Sequence, residues 1–140
     1  MIEATGVVER DVGSGSNKKT VRYKNEEIGR TELKDWLEDC RVDDQFWVGR
    51  FSQFSPSNID QIVRIAESFV GKSEYDLSNR NLADTSSFFC SKLIWYAVNK
   101  ALGYSLDNDP EPDRFWPYSP KLMIKSPYIK LAEGRLEDYR

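Results

Sequence analysis

Cys90 lies in the run Thr85-Ser86-Ser87-Phe88-Phe89-Cys90-Ser91-Lys92-Leu93-Ile94-Trp95-Tyr96, where small hydroxyl residues meet the start of an apolar helix. With Ser86 or Ser87 as the N-cap, the thiol falls in the first helical turn. The free N–H groups and the positive end of the helix dipole there favour the thiolate. A thiolate so placed is a nucleophile for acyl transfer from an amide or ester. That chemistry ordinarily uses an imidazole to take up and return the proton, and the 140-residue chain contains no histidine. From position alone Cys90 also reads as a small core residue, since free cysteine is among the most buried side chains. Cys40 follows Glu38-Asp39 at a helix C-terminus, where acidic neighbours and the negative end of the dipole disfavour the thiolate, so it is the poorer nucleophile. The two cysteines match neither a Cys-x-x-Cys zinc or redox site nor a dense disulfide framework, and they read as two free thiols, with a Cys40–Cys90 bridge as the less favoured alternative.

Composition bounds the protein that carries these residues. Charged residues at 31% and hydrophobic residues at 39%, with 13% aromatics, describe one globular domain over 1–140 that needs neither metal nor disulfide to fold, and no cofactor is expected. A net charge of −3 from 20 basic and 23 acidic residues argues against nucleic acid as the main partner. No apolar stretch approaches the ~20 residues of a membrane span, and Met1-Ile2-Glu3-Ala4 lacks the features of a signal peptide, so a cytoplasmic protein is the default expectation.

The elements that must position Cys90 follow from pattern. Residues 1–10 read as a strand with Gly6 at a bulge, paired as a hairpin with Thr20-Val21-Arg22-Tyr23-Lys24 across a Gly-Ser turn. Thr31 caps a short helix carrying Leu33, Trp36 and Leu37, and residues 45–51 form an aromatic strand. Ser57 opens a helix over 58–70, with Ile59, Ile62, Val63, Ala66 and Phe69 on one face and Gly71 as a left-handed stop. Residues 72–87 read as a loop, and the Cys90 helix runs from near Ser87 to Gly103. Prolines and acids make 107–113 irregular, Ser119-Pro120 starts a single helical turn, and Tyr128-Ile129-Lys130-Leu131 is a last strand. The fold class is therefore α+β, a small antiparallel sheet packed against the two long helices. The pairs Phe46-Trp47, Trp95-Tyr96 and Phe115-Trp116 read as core and pocket wall.

Taken together, Ile2-Glu3-Ala4, Gly71 with Tyr75-Asp76, Phe88-Phe89-Cys90-Ser91-Lys92-Leu93-Ile94-Trp95, and Tyr118-Ser119-Pro120 with Ser126-Pro127 resemble one family from Ile2 to about Leu131. That family is the circularly permuted, papain-like amidases of the NlpC type, in the YaeF/YiiX-like branch. The resemblance implies a thiol hydrolase acting on a peptide or acyl amide or ester, with Cys90 as nucleophile and Glu3 as the carboxylate orienting a histidine base. Tyr75, Asp76 and Ser91 are the candidate substrate contacts. Tyr75-Asp76 also reads as a plain turn in which Asp76 bonds its own backbone two residues on. Lys92 stands where many relatives carry Glu, and is expected to face away from the thiol. The family's histidine strand should lie just before Ile2, so the resemblance reads the chain as an N-terminally truncated, weak or inactive hydrolase; the alternative is a binding or scaffold domain that keeps the groove without the base. A missing edge strand would invite strand pairing with a second chain.

Overall fold

The computed structural model describes residues 2–3, 7–12, 15–17, 19–24, 28–35 and 48–132, with side chains at 15–16, 28–35 and 48–132. Cys40, Gly6, Trp36, Leu37, Phe46, Trp47 and the side chain of Glu3 lie outside the described residues.

Short antiparallel ladders and two packed helices make an α+β fold, as the hydrophobic patterning predicts. The strand read over residues 1–10 is two strands with different partners: β1 (Ile2–Glu3) pairs with β4 (Gly29–Arg30), and only β2 (Val7–Val12) pairs with β3 (Lys19–Lys24) in the expected hairpin, from Val7 opposite Lys24 to Val12 opposite Lys19. β5 (Gly49–Phe51) pairs antiparallel with β8 (Ile129–Leu131). A Cβ on Gly49 would come within 2.7 Å of the Ile129 side chain, so the ladder closes only with glycine there. The 72–87 segment is not wholly a loop. β6 (Glu74–Tyr75) and β7 (Ser87–Phe88) form a parallel pair inside it, too short and too polar to announce itself by alternation.

The first long helix, α1 (Pro56–Glu67), starts earlier than its Ser57 reading. Ser55 is the cap, because its hydroxyl accepts from the Asn58 N–H at 3.2 Å while the Asn58 side chain accepts from the Ser55 N–H at 3.1 Å, and Pro56 takes the first helical position. The helix ends at Glu67 with Ser68 as its cap rather than running to residue 70; Gly71 adopts the expected left-handed conformation at φ 70°, but in the turns that follow, where its N–H donates to the Ile28 carbonyl at 2.9 Å. The second, α2 (Cys90–Leu102), stops where Gly103 turns left-handed at φ 74°. Ser119 caps the single turn α3 (Pro120–Met123) as read from sequence.

The helix α2 is buried on most of its circumference through Leu93, Trp95, Ala97 and Val98, so it is the axis of the core. Ile62 of α1, Leu82, Phe89, Leu106 and Tyr118 close around it. A second cluster of Ile28, Phe88 and Leu93 is extended by Phe69, Tyr75 and Tyr96. Within it the rings of Phe69, Phe88 and Tyr96 lie 4.8 to 5.6 Å apart in tilted and edge-to-face contacts, the geometry aromatic quadrupoles favour.

Candidate active site

Cys90 is the first residue of α2 and is exposed, while Phe88, Phe89, Ser91 and Lys92 on either side of it are buried. The sequence places the thiol correctly in the first turn but misplaces the cap. Ser87 belongs to β7, and Phe89 is the N-cap, at φ −122° and ψ 167°. Phe89 has no side chain that could cap, so the amides at the start of α2 face no side-chain acceptor from it.

The parallel β6–β7 register brings Tyr75 to the thiol. Tyr75 lies opposite Phe88, and the Asp76 N–H donates to the Phe88 carbonyl at 3.0 Å, which fixes the end of β6 two residues from Cys90. Burial, with the nearby Cys90 sulfur adding to it, pushes the Tyr75 phenol up, so it stays a protonated hydrogen-bond donor through the neutral range. Asp76 takes the turn role: its Oδ1 accepts from the Ser78 N–H at 2.8 Å and from the Ser78 hydroxyl at 2.7 Å. These bonds hold its carboxyl below the usual range, with Lys92 helping, so it serves first as a brace for the loop beside Tyr75.

Ser91, a candidate substrate contact by sequence, is turned away from solvent. It is 1% exposed, and its hydroxyl donates to the Tyr118 carbonyl, which ties the start of α2 to the segment leading into α3. Two helix positions beyond a thiol that faces solvent, Lys92 turns inward, as expected from its opposite placement on the helix. It is wholly buried, lies 5.4 Å from the centre of the Phe88 ring, and its Nζ donates to the Asn79 carbonyl at 3.4 Å. Burial lowers its ammonium while Asp84 and Asp76 pull the other way. The folded chain therefore holds this proton less tightly than the unfolded chain. Stability rises as pH climbs through the folded-state value toward ~10.4, the value of a free lysine. Burying an ammonium without an ion-pair partner costs free energy, and even whole buried ion pairs are often replaced by apolar side chains of similar volume with a neutral or stabilising effect of roughly 1–4 kcal/mol. Lys92→Met should accordingly unfold in urea at an equal or higher midpoint at pH 7, and should lack the wild-type gain on the alkaline side; a large loss at pH 7 would show that the ammonium is needed for folding.

A groove of about 550 Å³ opens on the same face of α2 as the thiol, within the size range of small-molecule sites. Ile94 and Ala97 line it, four and seven residues after Cys90, and these spacings share one helix face. Its other described walls are Ile62, Val63 and Ala66 of α1, Phe51 and Ile129 of the β5–β8 ladder, and Met123. At the rim Arg30 and Glu67 form an ion pair at 2.7 Å. The wall is apolar and Cys90 stands one turn beyond its end. No local motif in the sequence marks this groove, because its residues are recruited from six separate elements.

No protein-family model and no curated protein sequence matches the chain. Among solved structures, the crystal structure of the metalloprotein YiiX from Escherichia coli O157:H7 is similar to it, with a TM-score of 0.61 and 19% identity over 95% of this chain and 83% of that one. At this identity the likeness is one of fold, and it extends over nearly the whole chain: the protein has a YiiX-like α+β fold.

Proposed function

We propose that this chain is a permuted papain-like domain of the NlpC type in which Cys90 is an acyl-accepting nucleophile, giving a thiol hydrolase for an amide or ester. The observation that carries this reading is the exposed Cys90 thiol at the first position of a mostly buried, side-chain-uncapped helix. In the reaction the Cys90 sulfur attacks the substrate carbonyl carbon. Amides at the start of α2 and the Tyr75 hydroxyl donate to the oxygen that becomes negative. The C–N or C–O bond then breaks as the leaving group takes up a proton, and water cleaves the thioester, returning the thiol and releasing the acid. The groove beyond Ile94 takes an apolar part of the substrate. Glu3 is the position matched to the family's base-orienting carboxylate, and this sequence supplies no histidine for it to hold.

YiiX carries the word metalloprotein in the name of its structure. Among the described residues of this chain no three His, Cys, Asp or Glu side chains come together, so they do not fit a metal ion and no step is routed through one. The second reading, a domain that binds the same substrate without turning it over, is favoured by one observation, the absence of histidine from the sequence.

Acylation and turnover separate the two readings. On incubation with a nitrophenyl ester, the protein should release nitrophenol in a burst of up to one equivalent, and peptide mass spectrometry should find the acyl group on Cys90. Cys90→Ala should show neither. Absence of acylation at Cys90 in the folded wild type would leave the binding reading.

A further inference from the structure

Ile59, Ile62, Val63 and Ala66 share one apolar face of α1 by their spacing, yet only Ile62 among them is buried and Val63 is 44% exposed. Val63 and Ala66 form instead a wall of the groove beside Cys90. Ile94 and Ala97 of α2 face them across it, and Phe51 and Ile129 close it from the β5–β8 ladder. The chemistry of these walls decides what can fill them. The described side chains that line the groove are aliphatic, aromatic or thioether, apart from Arg30 and Glu67 at the rim, and those two satisfy each other at 2.7 Å. The backbone behind Val63, Ala66, Ile94 and Ala97 is bonded within its own helices.

A peptide laid along such walls loses water from its amide groups and finds no side chain to replace it. A hydrocarbon chain has no polar atom to satisfy and gains from every methylene covered. The helix also supplies a length. Ala97 lies about 10 Å along the axis of α2 from Cys90, at ~1.5 Å per residue, the reach of an extended chain of roughly eight carbons. We propose that the group transferred to Cys90 is an unbranched aliphatic acyl chain of medium length, delivered as an ester, with its tail lying along Ile94 and Ala97 against Val63. The proposal rests on the reading of Cys90 as a nucleophile. The sulfur bonds to the acyl carbonyl carbon, the ester C–O bond breaks, and the alcohol leaves with the proton that the thiol gave up. The tail stays in the groove while water cleaves the thioester.

Two measurements on the intact chain separate the groove from the nucleophile. In the first, Cys90→Ala, which has no thiol to acylate, is titrated with octanamide, acetamide and tri-alanine while its backbone N–H resonances are followed by NMR. Octanamide should move the resonances of Val63, Ile94 and Ala97 and bind at least about tenfold more tightly than acetamide, and tri-alanine should leave them in place. In the second, the wild type is acylated with nitrophenyl acetate and nitrophenyl octanoate, each rate being divided by that of N-acetylcysteine with the same ester. The octanoate rate should exceed the acetate rate at least about a hundredfold, well short of what six fully covered methylenes give at roughly fourfold (about 0.8 kcal/mol) each. Val63→Glu, a change at an exposed position whose folding circular dichroism checks, should lower that ratio at least about tenfold. Octanamide binding without acylation of the wild type would support the acyl-chain site and remove the hydrolase reading. Acylation of Cys90 at equal rates by both esters, without octanamide binding, would leave the hydrolase reading and overturn the proposal. So would tri-alanine bound in the groove, or a wild-type dimer that Val63→Glu dissolves, since a peptide or a second copy of this chain would then be what covers the wall.

Discussion

Imidazole added to the solution should switch on Cys90-dependent ester and amide hydrolysis that the protein alone performs weakly. A positioned general base supplies about 10²–10⁴-fold in acyl transfer, and this sequence has no histidine to provide it. Neither neighbour fills the gap. Tyr75 is pushed up and stays protonated, and Lys92 is buried beneath Phe88, engaged with Asn79 rather than with the thiol. Because Cys90 is exposed, a small base can reach its sulfur from solvent. Dissolved imidazole lacks the effective molarity of a side chain, so it should recover part of the factor, at least about tenfold, rising with imidazole concentration and with its neutral fraction through pH ~7. Cys90→Ala should remove the imidazole-dependent increment above the buffer blank. An increment that persists in Cys90→Ala would be ordinary solution catalysis and would end the nucleophile assignment. Full Cys90-dependent turnover without imidazole would mean that another group of this chain is the base.

The parts of this arrangement that the sequence discloses are those governed by local rules. The left-handed stop at Gly103, the Ser119-Pro120 start of α3 and the first-turn placement of Cys90 all depend on residues within one helical turn and are found as read, whereas Gly71 is left-handed as read but does not stop α1, which has already ended at Glu67. One error is itself local: Ser55 rather than Ser57 caps α1 because Asn58, three residues on, completes a reciprocal pair of bonds. The others fall where distant segments decide. Ser87 leaves its expected capping role because Glu74 pairs with it across the β6–β7 ladder. Ser91 is drawn from the cleft by a carbonyl 27 residues away. Lys92 is buried against every composition rule, since the Phe88 face and the Asp76 and Asp84 carboxylates offer it a lined site that no sequence window contains. Phe115 and Trp116 are the reverse case, apolar by type yet held outward by a loop whose bracing comes from Arg80 and Arg114.

Arg114→Ala should destabilise the protein by about 3 kcal/mol, the largest effect expected of any single side chain outside the apolar core. Its guanidinium is 12% exposed and forks onto Asp107, 13% exposed, at 2.6 and 3.3 Å. It also reaches the Asp109 carboxylate at 3.1 Å, the Asp109 carbonyl at 2.8 Å and the Glu111 carbonyl at 2.6 Å, and it lies 5.8 Å from the Trp95 ring. The segment from 104 to 117 has no helix or strand to satisfy its backbone, and the Arg114 side chain takes up two of its carbonyls while Arg80 takes up a third. Removing one partner of a largely buried pair costs roughly 3–5 kcal/mol because the other charge is left uncompensated, and the residual exposure puts this pair at the lower end. Asp107 would keep only the Trp95 indole, at 3.3 Å. The same pair sets an acid limit. Burial alone would raise the Asp107 carboxyl, but the bonds and charge of Arg114, with the indole, hold it below its ordinary value. Its contribution is therefore present above the unfolded carboxylate value of ~3.9 and is lost as pH falls through the lower folded value. Urea unfolding of wild type, Arg114→Ala, Asp107→Asn and the double variant at pH 7 and pH 3 should show strong coupling at neutral pH that shrinks in acid. Additive losses at pH 7, or a loss below about 1 kcal/mol for Arg114→Ala, would mean that the loop is held by its prolines and by Tyr118 rather than by the guanidinium.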